Sequence, residues 1–424
     1  MKRVLVVWWD GRTVGQLTQD EGGELGFAYG ADWLGDSGAR ALSASLPVRP
    51  EPFSRRECRP FFGGLLPEET QRKAAAQALG ISPANDFAML DRLGGDVAGA
   101  LQFLPAGEQP LSSLGPWAPH PLGEQGLLAI LDALPARPLL AGHEGLRLSL
   151  AGAQSKVPVV LVQGAVALPL PGQPTTHILK PAMARFQAST ENEAFAMSLA
   201  ADAGLDVAAV SPRGVRASGG TVRTFLLVER YDRAQAAHGV RRLHQEDFCQ
   251  ALGVPVERKY QSEGGPTLGD GFALLRRVSA RPALDVLKLL DAVVFNVVTG
   301  NADAHGKNFS VLYGDAGPRL APLYDLLSTV IYPELSPRFA MKIGGRTRLE
   351  DLDAQGWSDF AGQAGLGLPL VRRRVAELAV RCAEVAPATA ARLAAEGLDG
   401  AAYERLSGLV LDRSRRCAAS LART

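Results

Sequence analysis

The sequence predicts an α+β fold in two lobes, one strand-rich and one mainly helical, behind a small mixed α/β N-terminal domain. Three observations carry that expectation. Short runs of β-branched and aromatic residues, punctuated by Gly and Pro, fill residues 1–105 and 140–232. Apolar residues at helical spacing dominate residues 233–424. One hairpin signal, Gly314-Asp315-Ala316-Gly317-Pro318, interrupts that helical half beside a dense polar cluster.

The elements follow in chain order. Residues 4–9, a turn at Asp10-Gly11 and residues 13–17 read as a hairpin, and Pro67-Glu68-Glu69 opens a helix toward Ala78. Residues 106–139 read as a linker or irregular packed segment, because 104–123 is rich in Pro and Gly. A small-residue turn, Ala151-Gly152-Ala153, precedes an extended run over 157–162, a turn at Gly164 and a further extended segment. His177-Ile178-Leu179-Lys180 then ends a strand in a lysine. Thr190 opens a helix to about Ala203, and Thr190 with Glu193 has capping-box spacing. Glu193 is also placed to pair with Lys180; the spacing favours the cap. A buried-type strand over 223–228 runs into Glu229-Arg230-Tyr231-Asp232.

The helical half holds a mostly apolar helix over 284–298, with Leu287, Leu290, Val294 and Val298 on one face; Gly300 and Asn301 end it. Strands over 309–313 and 320–324 flank the hairpin turn. Val371, Val375, Leu378 and Cys382, then Leu406, Leu409 and Leu411, mark late amphipathic helices that turn apolar faces to the core.

Composition narrows the class. At 424 residues, 46% hydrophobic and with net charge +1, the chain reads as globular and is not a strongly basic nucleic-acid binder by itself. Arg372-Arg373-Arg374 and Arg413 with Arg415-Arg416 are local basic candidates that read first as solvated helix faces. The four cysteines lack metal-ligand spacing and read as reduced cytosolic thiols. Met1-Lys2-Arg3 leads into a strand rather than a targeting segment, and no apolar run spans a membrane. A cytoplasmic protein with no membrane contact is expected.

The chemistry concentrates in Asn301-Ala302-Asp303-Ala304-His305-Gly306-Lys307-Asn308, followed by Asp325 in Ala-Pro-Leu-Tyr-Asp. Folded as a hairpin, the two strands lie roughly 5 Å apart and bring Asn308 and Asp325 within reach of one hard cation. Asp303 stays free as a base for an attacking hydroxyl, and Lys307 is placed to neutralise charge on a transferred phosphoryl group. His305 reads as orienting the loop. A metal hydrolase ligated by Asp303 and His305 would need a further histidine pair that the sequence does not offer. Upstream, the small-residue turn and Lys180 suit phosphate binding.

In this order the pieces resemble the HipA family of bacterial serine/threonine kinase toxins. The resemblance rests on Ser149-Leu150-Ala151-Gly152-Ala153-Gln154-Ser155-Lys156, Thr176 to Lys180, Val228 to Asp232 and Gln245-Glu246-Asp247-Phe248-Cys249-Gln250. It continues through Lys259-Tyr260-Gln261-Ser262-Glu263-Gly264-Gly265-Pro266, the Asp303 cluster and Leu323-Tyr324-Asp325, while Phe61 to Pro67 and Gly94 to Ala100 resemble the family's first domain. It implies a two-lobed protein-kinase-like fold acting on ATP and Mg²⁺. Asp303 would be the base, Asn308 and Asp325 the metal ligands, and Lys180 a phosphate contact. Ala151, Gly152, Ala153, Gln154, Ser155 and Lys156 would cover the phosphates. Glu229 and Tyr231 would meet adenine, Tyr324 would line its pocket, and Ser149 would be an autophosphorylation site whose modification displaces the loop. The family implies a HipB-like helix-turn-helix antitoxin, operator DNA reached through that complex, and a translation target such as an aminoacyl-tRNA synthetase. The region after about residue 340 matches least. A same-fold kinase acting on a lipid or small molecule, and an inactive antitoxin-binding corepressor, are the competing readings; the intact Asp303, Asn308 and Asp325 oppose the second.

Overall fold

Period-two burial builds the first layer of the computed structural model, which describes residues 2–111, 117–237 and 239–422. In β1 (Arg3–Trp9), Leu5, Val7 and Trp9 face the core while their neighbours stay wetter. With β2 (Arg12–Gln19), β3 (Leu25–Tyr29) and β4 (Leu101–Pro105) it forms an antiparallel sheet in the order β3-β2-β1-β4. Helices Arg55–Gly64, Glu69–Leu79 and Asp86–Leu93 share the apolar core of this unit, in which Phe27, Phe53, Phe61, Phe62 and Phe103 are buried.

The segment over 106–139 is more ordered than its composition suggests. Helix Glu124–Ala133 forms within it and buries Ile130 and Leu131 against the second sheet. Leu127, Leu128, Ile130, Leu131 and Leu134 carry a helical period that the preceding prolines hide. Residues 112–116 of the Pro/Gly-rich stretch lie outside the described residues.

The second sheet is antiparallel and five-stranded: β5 (Val157–Val162), β6 (Ala165–Ala167), β7 (His177–Pro181), β8 (Val210–Arg216) and β9 (Val222–Glu229), ordered β6-β5-β7-β9-β8. Central β7 is covered on both sides, so Leu179 and Lys180 are both buried. A ribbon of β10 (Arg233–Ala236) and β11 (Gly239–Arg242) leads to β12 (His244–Asp247). β12 pairs with β13 (Ser310–Gly314), which pairs with β14 (Gly317–Leu320).

The hairpin is shifted from the expected 320–324 strand. Gly314 pairs directly with Gly317, so only Asp315 and Ala316 form the turn, and Gly317 takes φ +96°. Pro318 is tolerated because β14 is an edge strand. Beyond Leu320 the chain leaves the hairpin, and Leu323 instead makes a parallel bridge to Val207.

Helices Leu268–Val278, Pro282–Thr299, Ala354–Ala364, Leu368–Ala395 and Gly400–Ser420 make the helical lobe around one large core. Helix Ser189–Asp202 packs on this core, joining the sheet to the helices. Two basic candidates are spent internally: Arg413 is buried with Nε and Nη2 donating to Val297 O at 3.0 and 2.9 Å, and Arg374 pairs with Asp291. Among the described residues no helix is long and apolar enough to cross a membrane, and all four cysteines are free and buried.

Candidate active site

The polar cluster begins where its helix ends. Helix Pro282–Thr299 stops at Gly300 with φ +73°, and a Cβ there would lie 2.6 Å from Val330. The chain beyond is tied on several sides. Asn301 Nδ2 donates to Asn296 Oδ1 at 3.0 Å, and Asn301 Oδ1 accepts from Asp303 N–H at 3.1 Å. Thr329 Oγ1 accepts from Ala302 N–H at 2.9 Å and donates to Gly300 O at 3.0 Å. These bonds fix the Asp303 backbone while its side chain reaches the open side of the cleft. Packing of the cleft walls pushes the Asp303 carboxyl up to about 6, against a hydrogen bond from Tyr260 and the charge of Lys259, with Asp325 and Glu69 adding to the rise.

Asp325 is placed from two flanks. Ala208 N–H donates to Leu323 O at 2.9 Å, and Leu323 N–H to Asp206 O at 2.8 Å. Three residues on, Asn192 accepts from Ser328 N–H at 2.8 Å and donates to Ser328 O at 2.9 Å. Between these clamps Asp325 sits at φ +57°, a strained setting for a residue other than glycine. Its Oδ1 accepts from Lys180 Nζ at 2.9 Å and its Oδ2 from Asn308 Nδ2 at 2.9 Å. Although burial opposes it, the Lys180 and Lys156 charges hold the Asp325 carboxyl well below the usual carboxylate range.

Lys180 also donates to Glu193 Oε1 at 2.6 Å. The favoured capping reading of Glu193 is therefore corrected. The helix starts at Ser189 behind Ala188, with no side-chain cap at that position, and Glu193 is buried against the lysine. A buried ammonium requires carboxylate partners, and Glu193 supplies one of the two. Burial would lower the Lys180 ammonium, but Asp325 and Glu193 together raise it, so it stays charged.

The loop over the site is zipped to the first domain. Glu68 N–H donates to Gly152 O at 3.2 Å, and Gly152 adopts φ +112°. Its missing Cβ makes room for Lys156 Nζ, which would otherwise lie 2.6 Å away. Lys156 Nζ donates to Ala151 O at 2.8 Å, and burial followed by repulsion from Lys180 brings it down to about 8. Ala153 lies in the same loop, Gln154 reaches Pro181 O at 3.5 Å and Ser155 Oγ donates to Gln71 at 3.0 Å. Ser149 is fully buried, with Oγ donating to Leu65 O at 2.7 Å and N–H to Asp96 O at 2.9 Å. A phosphate cannot be added there without displacing the loop.

Tyr231 and Tyr324 are brought together, with ring centroids 5.6 Å apart. The Tyr231 hydroxyl is held by Gln245, and the Tyr324 hydroxyl donates to Lys307 O at 2.6 Å. Glu229 is exposed at the end of β9, with its N–H donating to Ala209 O. Its side chain faces a groove of about 310 Å³ lined by Trp117, His177 and Gln235 rather than Asp303. Beyond the end of β9, Asp96 receives Arg230 at 3.3 Å, Arg233 at 3.0 Å and Arg242 at 2.8 Å, with all four side chains buried.

One expectation for the cluster changes, and one holds. Lys307 does not reach into the cleft to meet a phosphoryl group; its buried Nζ donates to Asp247 at 2.5 Å and Gly64 O at 3.1 Å, with Glu68 at 3.8 Å. An unpaired ammonium at that depth would be costly, so the chain supplies fixed partners. His305 shapes the loop through its backbone, whose N–H donates to Asn308 Oδ1 at 3.0 Å; burial brings its ring down to about 4, so it is neutral near pH 7. Sequence reasoning missed Asn192 and Thr329, the clamps for Asp325 and Asp303. Asn192 sits within the polar run Ser189-Thr190-Glu191-Asn192-Glu193 and Thr329 in an irregular stretch, and neither setting gives a local signal of such long-range bonds. Among the described residues no cluster of three His, Cys, Asp or Glu could hold a metal, and Asn308 meets Asp325 through its amide nitrogen.

Similarity to known proteins agrees with this geometry. Residues 148–390 match the HipA-like C-terminal domain and residues 5–104 the HipA N-terminal domain. The chain is 68% identical over 385 residues to the Sinorhizobium fredii protein named "Putative kinase Y4mE", covering 90% of each. It is 30% identical to the serine/threonine-protein kinase toxin HipA of Shewanella oneidensis, over 84% of this chain and 82% of that one. A solved structure of the Shewanella oneidensis MR-1 toxin–antitoxin system, HipA and HipB with operator DNA, superposes with TM-score 0.83 and 26% identity over 99% of this chain and 98% of that chain. The two-lobed kinase-like fold is thus shared, and the chain belongs to the HipA family of kinase toxins.

Proposed function

We propose that the chain transfers the γ-phosphoryl group of ATP to a serine or threonine hydroxyl of a protein. The observation that carries this reading is Lys180, bridged between Glu193 and Asp325, in the cleft that Asp303 enters. Lys180 and Lys156 supply positive charge for the phosphates, and the Gly152 turn lets backbone approach them closely. The Tyr231 and Tyr324 rings, set by their hydroxyl bonds, flank the adenine next to the Glu229 hinge. Asp303 accepts the proton of the acceptor hydroxyl as its oxygen bonds to the γ-phosphorus and the bond to ADP breaks.

Asp325 suits a magnesium site as an ionised carboxylate, and Asn308, whose Nδ2 donates to Asp325 Oδ2 at 2.9 Å and whose Oδ1 accepts from His305 N–H at 3.0 Å, would join it by turning its amide oxygen to the ion. Bound there, Mg²⁺ would neutralise phosphate charge. Asp325 is held charged and immobile for that task by Lys180 and the two flanking clamps.

The chain acts, on this reading, as the toxin of a pair with a HipB-like helix-turn-helix antitoxin in the cytoplasm. Its net charge of +1 supports contact with operator DNA through that complex rather than alone. The substrate is a translation protein such as an aminoacyl-tRNA synthetase, and phosphorylation of Ser149 silences the enzyme by unzipping the loop from Leu65 and Asp96. Expression of the wild-type chain and of Asp303→Ala in a bacterial host, with phosphoproteomics, tests this. Growth arrest with new phosphoserine or phosphothreonine on a translation protein, for wild type alone, is expected. Equal arrest by both chains would overturn it.

A further inference from the structure

The loop over 151–156 takes two of its anchors from the first domain. Gly152 O accepts from Glu68 N–H at 3.2 Å, beside a parallel bridge between Pro67 and Gly152. At the far end of the loop Ser155 Oγ donates to Gln71 Oε1 at 3.0 Å, and both residues are half-buried. The tie to its own sheet is weaker: Gln154 Nε2 reaches Pro181 O at 3.5 Å, the long end of such a bond. Lys156 Nζ turns back on Ala151 O at 2.8 Å, and Lys156 O accepts from Leu139 N–H at 3.2 Å.

Gln71 is presented from a fixed backbone. It sits in the first turn of helix Glu69–Leu79. Just before it, the Glu68 and Glu69 carboxylates accept from Lys259 Nζ at 2.8 and 3.0 Å, which ties the start of the helix to the helical lobe. Just after it, Arg72 Nε donates to Pro83 O at 2.5 Å, and its guanidinium pairs with the buried Asp86. These bonds run between protein groups, so the Gln71 amide oxygen stands in place before nucleotide binds.

We propose that Gln71 is a positioning residue for the nucleotide, holding the 151–156 loop closed over the phosphates through Ser155, so that the first domain sets how fast bound nucleotide escapes. The inference rests on the kinase reading above. The turn itself rests on the φ +112° of Gly152 and the Glu68 backbone bond, so removing the Gln71 acceptor should loosen the loop without unfolding the chain.

The test follows release of mant-ATP from the full-length chain with Mg²⁺ by stopped-flow fluorescence, with thermal melts alongside. Gln71→Met keeps the length of the side chain and removes the acceptor; Ser155→Ala removes the donor. Each is expected to speed release about three- to tenfold, the loss of one net hydrogen bond, with Tm unchanged. The double variant should release no faster than either single one, because both changes break the same bond. Effects that add in full in the double variant, or faster release only alongside a fall in Tm, would overturn the positioning role. Wild-type release in Gln71→Met beside intact binding would overturn this assignment alone. If wild type binds no mant-ATP, the kinase reading fails first and this assignment with it.

Discussion

At the scale of single residues, the proposed transfer turns on Asp303. Its carboxyl lies near 6 because cleft walls and the Asp325 and Glu69 charges outweigh Tyr260 and Lys259. The working form of a base is the carboxylate, so kcat/KM should fall as pH drops below about 6 and level off above it; a flat profile from pH 5 to 8 would remove Asp303 as the base. Asp303→Asn should lower kcat by about 10²–10⁴-fold, the range of general-base contributions, while Mg-ATP affinity measured by calorimetry stays within a few-fold. Asp325→Asn should do the reverse at the binding step, weakening Mg-ATP affinity while leaving ATP binding without magnesium less affected. Lys307 belongs to a different class. Its pair with Asp247 is buried, and breaking it with Lys307→Met should cost about 3–5 kcal/mol of stability, read in a denaturant titration.

Particular elements show how far local pattern reaches. The helix before the cluster was legible because its apolar positions recur at helical spacing and Gly300 marks its end. The meeting of Asn308 and Asp325 was legible because a hairpin leaves little freedom, even though β14 proved shorter and shifted. Glu193 was misread because a capping box is a local pattern, whereas the Lys180 partnership spans 13 residues and depends on burial. Lys307 was misread for the same reason: its partners Asp247 and Gly64 lie 60 and 243 residues away. Gly265 gives an element-scale prediction. Gly265→Ala should distort the turn beside the Asp303 loop and lower Tm in a thermal melt, because its Cβ would lie 2.0 Å from Arg258 O and 2.6 Å from Tyr260 O.

At the scale of the molecule, the first domain is built into the candidate active site. It pins the loop over 149–156 through Leu65 and Glu68, anchors Lys259 through Glu68 and Glu69, and ties Arg230 beyond β9 through Asp96. The sequence marked both Phe61 to Pro67 and Gly94 to Ala100 as resemblances, without revealing that they close on residues far along the chain. Asp96 sets the whole-molecule prediction. Burial raises its carboxyl, but Arg233, Arg242 and Arg230 outweigh this and depress it far below its unfolded value. Its contribution to stability is thus complete above about pH 4 and lost as pH falls toward the folded value. Asp96→Asn should remove that part of the acid sensitivity and, by leaving three buried guanidiniums short of a carboxylate, lower stability at pH 7 by about 3–5 kcal/mol.

The most direct test of the central claim is intact mass and phosphopeptide mapping of the purified chain after incubation with Mg-ATP, for wild type and Asp303→Ala. One added phosphate on Ser149 in wild type, absent in Asp303→Ala, is the predicted result. No phosphate on wild type despite confirmed nucleotide binding, or the same phosphate on both chains, would contradict it.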